Sequence, residues 1–201
     1  MKSPYDYVIK PVGDRYNNKV QVEPGKDLIL NTEISNHQYI NRVAEIVSVP
    51  ILKATHLRVG QKVVVHHNIF RRWYDVKGRE RNSRSFLAED KYIAHEGQVY
   101  LYEDDGRWKC MPGFTFVKPF KSKDELTTDT EQQLKGVVVY SDGVHKIGSV
   151  VGFRPNMEFE FVLGGNRLYN IDNRFITIDY GHKTDEEEYN PRWAESSGRV
   201  N

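Results

Sequence analysis

Three observations predict an all-β fold built from two tandem modules. Aromatic residues reach 12% of the 201-residue chain, with twelve Tyr, and Val, Ile and Phe accompany them in short runs; these residue types suit pleated, half-buried strands. The runs, such as Val63-Val-Val65, Val137-Val-Val139 and Phe175-Ile-Thr-Ile-Asp179, are bounded by Gly, Asp, Asn and Pro, the punctuation of strands. Finally, segments of the first half recur in the second half in the same order.

The repeat is read element by element. Tyr7-Val-Ile-Lys-Pro-Val12 is matched by Thr115-Phe-Val-Lys-Pro-Phe120, which predicts an opening strand in each module. Arg42 to Val49 is matched by Lys135 to Asp142, and Val59-Gly-Gln-Lys-Val-Val-Val65 by Ile147-Gly-Ser-Val-Val-Gly-Phe153. The last match sets Asp90-Lys-Tyr-Ile-Ala94 against Asn173-Arg-Phe-Ile-Thr177. Glu158 to Leu163, Gly164-Gly-Asn166 and Arg167 to Ile171 read as a hairpin, because the glycines supply positive φ. Gln98 to Tyr102 and Arg107 to Cys110, joined by Glu103-Asp-Asp-Gly106, read as a second hairpin at the junction of the copies.

Helical signal is weak. Asp124 to Lys135 carries Leu126 and Leu134 on one helical face but is otherwise polar, which predicts a flexible loop. The modules are therefore set at 1–110 and 111–181, with 182–201 as a polar acidic, mobile tail in which Trp193 docks on a neighbour.

Composition narrows the function classes. A net charge of +1 gives no global pull toward nucleic acid or acidic membranes. Cys110 is the single cysteine, so no internal disulfide is possible and a reducing compartment is expected. The longest apolar runs, such as Gly136 to Tyr140, fall far short of a membrane span. Met1-Lys-Ser-Pro-Tyr-Asp6 has no apolar signal core, so a cytoplasmic location is expected.

Ile9-Lys-Pro11, Gly13-Asp-Arg15, Leu28-Ile-Leu30, Val43 to Val49, Val59-Gly-Gln-Lys-Val63 and Glu89 to Ala94 together resemble the ten-kilodalton co-chaperonins of the GroES type. The second copy carries the resemblance more thinly, through Phe116-Val-Lys-Pro119, Gly136-Val-Val-Val139, Ile147 to Val151 and Phe175-Ile-Thr177. The tandem arrangement is similar to double-length plastid co-chaperonins. The resemblance implies two small irregular β-barrels with long loops and a homo-oligomeric ring. Such a ring caps a large chaperonin, and the ATP is bound by that partner rather than by this chain.

By the same resemblance, Leu28, Ile29 and Leu30 take the place of the apolar tripeptide that inserts into a chaperonin groove, with Gly25 loosening the loop. Paired glycines usual before that tripeptide are replaced here by Lys26-Asp27. Read from pattern alone, Leu28 to Leu30 fits a buried core strand equally well. Lys121 to Lys135 holds no apolar triplet, so the second copy is expected not to dock.

One insert falls outside the family pattern and suggests a specialised or phage variant. Phe70 to Arg84 holds six cations, including Arg71, Arg72, Arg79, Arg81 and Arg84, against Asp75 and Glu80. Trp73 and Tyr74 lie among them, so an inter-subunit contact is expected. The alternative is phosphate contact with base stacking. The arginines otherwise pair with acids such as Asp104 and Asp105.

Catalytic patterns are not found. His66 and His67, if on a strand, point to opposite faces and lack a third ligand at a recognisable spacing. Cys110 follows Lys109 but has no His partner in pattern, and Gly164-Gly165 is a turn rather than a phosphate loop. No enzyme, metal or cofactor is expected. Two further readings stand beside the co-chaperonin: a virion-type structural assembly protein, and a nucleic-acid-binding module that uses the Arg71 to Arg84 insert.

Overall fold

The computed structural model describes residues 2–16, 19–23, 26–29, 39–122, 131–183 and 185–197; for 19–23, 26–29, 196 and 197 only the backbone is described. The chain divides into two compact units, Met1–Arg107 and Trp108–Asn201. Both are all-β.

The first unit holds β1 (Tyr7–Pro11), β2 (Lys19–Glu23), β3 (Lys26–Ile29), β4 (Val43–Ser48), β5 (Lys62–Val65) and β6 (Arg72–Tyr74). After these come β7 (Glu80–Asn82), β8 (Phe86–Ala88), β9 (Lys91–Ala94) and β10 (Val99–Asp104); the division between units falls inside β11 (Arg107–Cys110). The second unit holds β12 (Phe114–Lys121), β13 (Glu131–Ser141), β14 (Ser149–Phe153), β15 (Phe159–Leu163), β16 (Asn166–Asp172), β17 (Ile176–His182) and helix α1 (Arg192–Ser197).

The seven-stranded sheet runs β11-β10-β5-β4-β1-β9-β8, and the six-stranded sheet, read from its other end, runs β17-β14-β13-β12-β16-β15. Apart from β11 the two orders are the same connectivity. Register agrees as well. Ile9 pairs with Ile46 and Pro11 with Ala44, after a bulge between Val8 and Ile9. Val117 pairs with Val138 and Pro119 with Gly136, after a bulge between Phe116 and Val117.

Two of the sequence matches need correction. The second is out by one residue, since Ala44 corresponds to Gly136 and not to Val137. A slip of one residue turns every side chain to the opposite face. The fourth compares the wrong elements: Tyr92 pairs with Ile9 as Tyr169 pairs with Val117, so β9 corresponds to β16 and not to Asn173–Thr177. Asn173–Phe175 is a 3-10 turn, the counterpart of Glu96–Gln98 after β9.

The expected closed barrels do not form. Among the described residues no ladder joins the two ends of either sheet. A 3-10 turn instead carries the chain from β9 to β10, four places along the sheet, and from β16 to β17 likewise. Flat strands four places apart lie about 19 Å from each other, more than one 3-10 turn spans. Each sheet therefore curls, and the covalent link does the joining that a ladder would otherwise do. The first core centres on Ile9, Ile46, Val63, Val65, Phe70 and Tyr92, and one cluster in the second on Val117, Val138, Val151, Phe153 and Ile171.

The polar segments also differ from expectation. Residues 124–130 of the expected loop lie outside the described residues, whereas Glu131 to Lys135 form the start of β13. The expected loose tail is strapped to β12: the Lys121 N–H donates to Glu187 O and the Tyr189 N–H to Pro119 O. Lys118 pairs with Glu188 at 3.2 Å and Lys135 with Glu186 at 3.1 Å, so the acidic run answers lysines on β12 and β13. In α1 Ala194 is fully buried, while Trp193 is 41% exposed.

Candidate functional site

Two hairpins stand apart from the main sheets, and both belong to the first unit. β2 and β3 pair only with each other among the described residues, Val20 opposite Leu28 and Lys19 opposite Ile29. The backbone of Leu28 and Ile29 thus lies on a two-stranded ribbon inserted between β1 and β4, and is no member of the seven-stranded sheet. Gly25 and Leu30 lie outside the described residues.

The second ribbon is β6–β7, with Arg72 opposite Asn82, Trp73 opposite Arg81 and Tyr74 opposite Glu80. The turn is tied by Asp75, whose Oδ1 accepts the Lys77 and Arg79 N–H groups at 2.9 Å each. Those bonds, led by the one from Arg79, hold the Asp75 carboxyl below its ordinary value. Arg72 pairs with Glu80 and Arg81 with Asp75, each at 3.0 Å, so the expected partners at Asp104 and Asp105 are replaced by acids of the ribbon itself. Arg71, Arg79 and Arg84 are exposed.

The root of this ribbon is pinned to the body. Arg15 donates to Phe70 O through Nε and Nη2, at 3.2 and 2.9 Å, and to Asn82 Oδ1 at 2.8 Å. Its guanidinium lies 5.2 Å from the Tyr92 ring centre, and Arg72 lies 4.7 Å from that of Tyr16. Burial, together with the neighbouring Arg72, lowers the Arg15 pKa. Buried Asn41 fixes the approach to Arg15 by donating to Val12 O and Asp14 O. Around Arg15 a cavity of about 450 Å³ is lined by Lys10, Pro11, Gly13, Asp14, Tyr16, Arg72 and Asp90. This Arg15 anchor was not read from the sequence as a functional feature; Gly13-Asp-Arg15 was the available signal.

In the second unit the partly buried Arg167 donates to Glu160 Oε2 at 3.0 Å and to Glu131 Oε2 at 2.6 Å. Tyr169 OH donates to Glu131 Oε1 at 2.6 Å, and burial pushes this phenol above its ordinary range. These contacts join the start of β13 to the β15–β16 hairpin.

The remaining reactive side chains are structurally engaged. β5 ends at Val65, so His66 and His67 are not opposed on a strand; their rings stack at 4.4 Å, which corrects the expected geometry. His66 Nδ1 accepts the Asn68 N–H, and burial, with Arg42 nearby, lowers the His66 pKa. Cys110 is buried and its thiol donates to Phe114 O at 3.1 Å, with burial raising its pKa. That is the reverse of the activation Lys109 would supply.

Among known proteins, no family model matches this chain and no curated protein matches it.

Proposed function

We propose that the chain is a co-chaperonin-like protein that assembles into a homo-oligomeric ring and caps a large chaperonin. One observation carries this reading: Leu28 and Ile29 lie on a ribbon that pairs with itself and is left out of the main sheet. A core strand would be built into that sheet, and a docking element need not be. Each large aliphatic side chain contributes roughly 1.5–3 kcal/mol when buried by a partner, against about 1–2 kcal/mol of backbone ordering per residue. A single ribbon therefore binds weakly, and several on one ring bind tightly by raising each other's effective concentration. Nucleotide hydrolysis belongs to the partner, and the working compartment is the cytoplasm that holds it.

The test mixes the purified chain with a chaperonin and ATP, following ATPase rate and end-capped complexes by electron microscopy. Wild type is expected to slow hydrolysis and form caps, and Ile29→Asp to do neither while keeping its oligomeric state. A wild type that neither caps nor slows hydrolysis refutes the proposal and favours a structural assembly role.

A further inference from the structure

The β6–β7 ribbon has two faces of different character. Its inner face is locked: the Arg72 N–H donates to Tyr16 OH at 2.8 Å, Arg15 holds Asn82, and Ser83 Oγ donates to Ile69 O at 2.6 Å. Trp73 and Arg81, directly opposite each other, lie on the other face, since neighbours along a strand alternate. There and at the tip the ribbon leaves Trp73 46%, Tyr74 57% and Val76 103% exposed. Trp73 is held by its Nε1–H, which donates to Asn82 O at 3.3 Å.

We propose that this ribbon is a docking face for a second copy of the chain. Its rigidity is one argument, because a surface already ordered by its inner face loses little entropy on binding. Its composition is another, for Trp, Tyr and Arg are the residue types that dominate binding energy at interfaces. Charge selects the occupant. Residues 70–84 carry six cations and two carboxylates, a net +4, in a chain of net +1, so the other 186 residues together carry −3. The rest of a second copy is thus opposite in net charge to the ribbon, which selects a copy of this chain over a polyanion whose charge that remainder does not complement. The proposal rests on the reading of this chain as self-assembling, but needs no chaperonin.

Sedimentation equilibrium over a concentration series tests it, with wild type, Val76→Asp and the pair Arg71→Glu, Arg79→Glu. Val76 is fully exposed, so its replacement leaves the folded subunit intact. Wild type is expected to self-associate, with each variant raising the dissociation constant at least tenfold and 0.5 M salt weakening wild type similarly. Unchanged self-association in both variants overturns the proposal and leaves chaperonin capping standing. A wild type that stays monomeric, or whose ribbon instead binds a labelled single-stranded oligonucleotide, overturns it as well. Ribbon-dependent self-association without any capping supports it while removing the chaperonin reading.

Discussion

Gly60 and Gly148, 88 residues apart, occupy one structural position: both have φ of +84°, and their N–H groups donate to Ile46 O at 2.8 Å and Val138 O at 2.9 Å. Each ends a tight turn, with Gln61 N–H returning to Arg58 O in the first unit and Ser149 N–H to Lys146 O in the second. The turn sets the entry of β5 and β14 beside β4 and β13. It is the point at which the two units agree in sequence, torsion and hydrogen bonding together.

A side chain at either glycine is therefore disfavoured by torsion and not by crowding, since an added Cβ meets nothing within 4 Å. Gly60→Ala and Gly148→Ala are each expected to cost about 1–2 kcal/mol. Urea unfolding monitored unit by unit checks this. An unchanged midpoint for both would show that the turn does not depend on the left-handed torsion.

The repeat was legible where a residue type was forced, and illegible where only polarity was shared. Lys10-Pro11 with Lys118-Pro119, and Gly60 with Gly148, mark real counterparts because bulge and torsion constrain them. Position 44 is Ala, and position 136 is Gly for a packing reason: a Cβ on Gly136 would sit 2.8 Å from Lys118 O. Neither residue announces that constraint in a string rich in Val, so the comparison slid by one. Asn173-Arg-Phe-Ile-Thr177 imitates Asp90 to Ala94 in pattern, and only pairing partners separate them. The acidic run Asp185 to Glu188 reads as a solvated tail until the lysines of β12 and β13 are brought against it.

Asp142 makes the second unit sensitive to acid. Its partial burial opposes the charge, yet it accepts N–H bonds from Gly113 at 2.7 Å and Val144 at 3.1 Å, and both carboxylate oxygens bind Asn173 Nδ2. The bonds prevail and hold its pKa below the ordinary 3.8. A depressed folded-state pKa adds stability that is complete above the unfolded value and lost as pH falls through the folded one. Asp142→Asn is expected to cost about 1 kcal/mol at pH 7, allowing for solvent screening. The gap from wild type should begin to narrow as pH falls below about 4; thermal melts from pH 7 to pH 2 read it, and a gap constant over that range would refute the assignment.

Arg167 serves Glu131, Glu160 and Tyr169 at once. Arg167→Met leaves two carboxylates without their shared cation, an expected loss of about 2–4 kcal/mol. Arg167→Lys should recover less than half, because one ammonium lacks the planar fork that reaches both carboxylates. Denaturant midpoints of the two variants decide it, and equal stability of the Lys variant and wild type would reduce the cluster to simple charge balance.

The proposed docking through Leu28 and Ile29 makes a stronger prediction in mixed rings than in pure ones. If every ribbon contributed independently, replacing a fraction of subunits with Ile29→Asp would lower capping in proportion. Linked ribbons behave otherwise, because each bound one raises the local concentration of the next, and losing a few removes a multiplied affinity. Rings assembled from wild type and Ile29→Asp in graded ratios should therefore lose chaperonin capping steeply, most of it by about half substitution. A linear decline would mean that single ribbons bind on their own. No decline at all would place the contact elsewhere than on the β2–β3 ribbon.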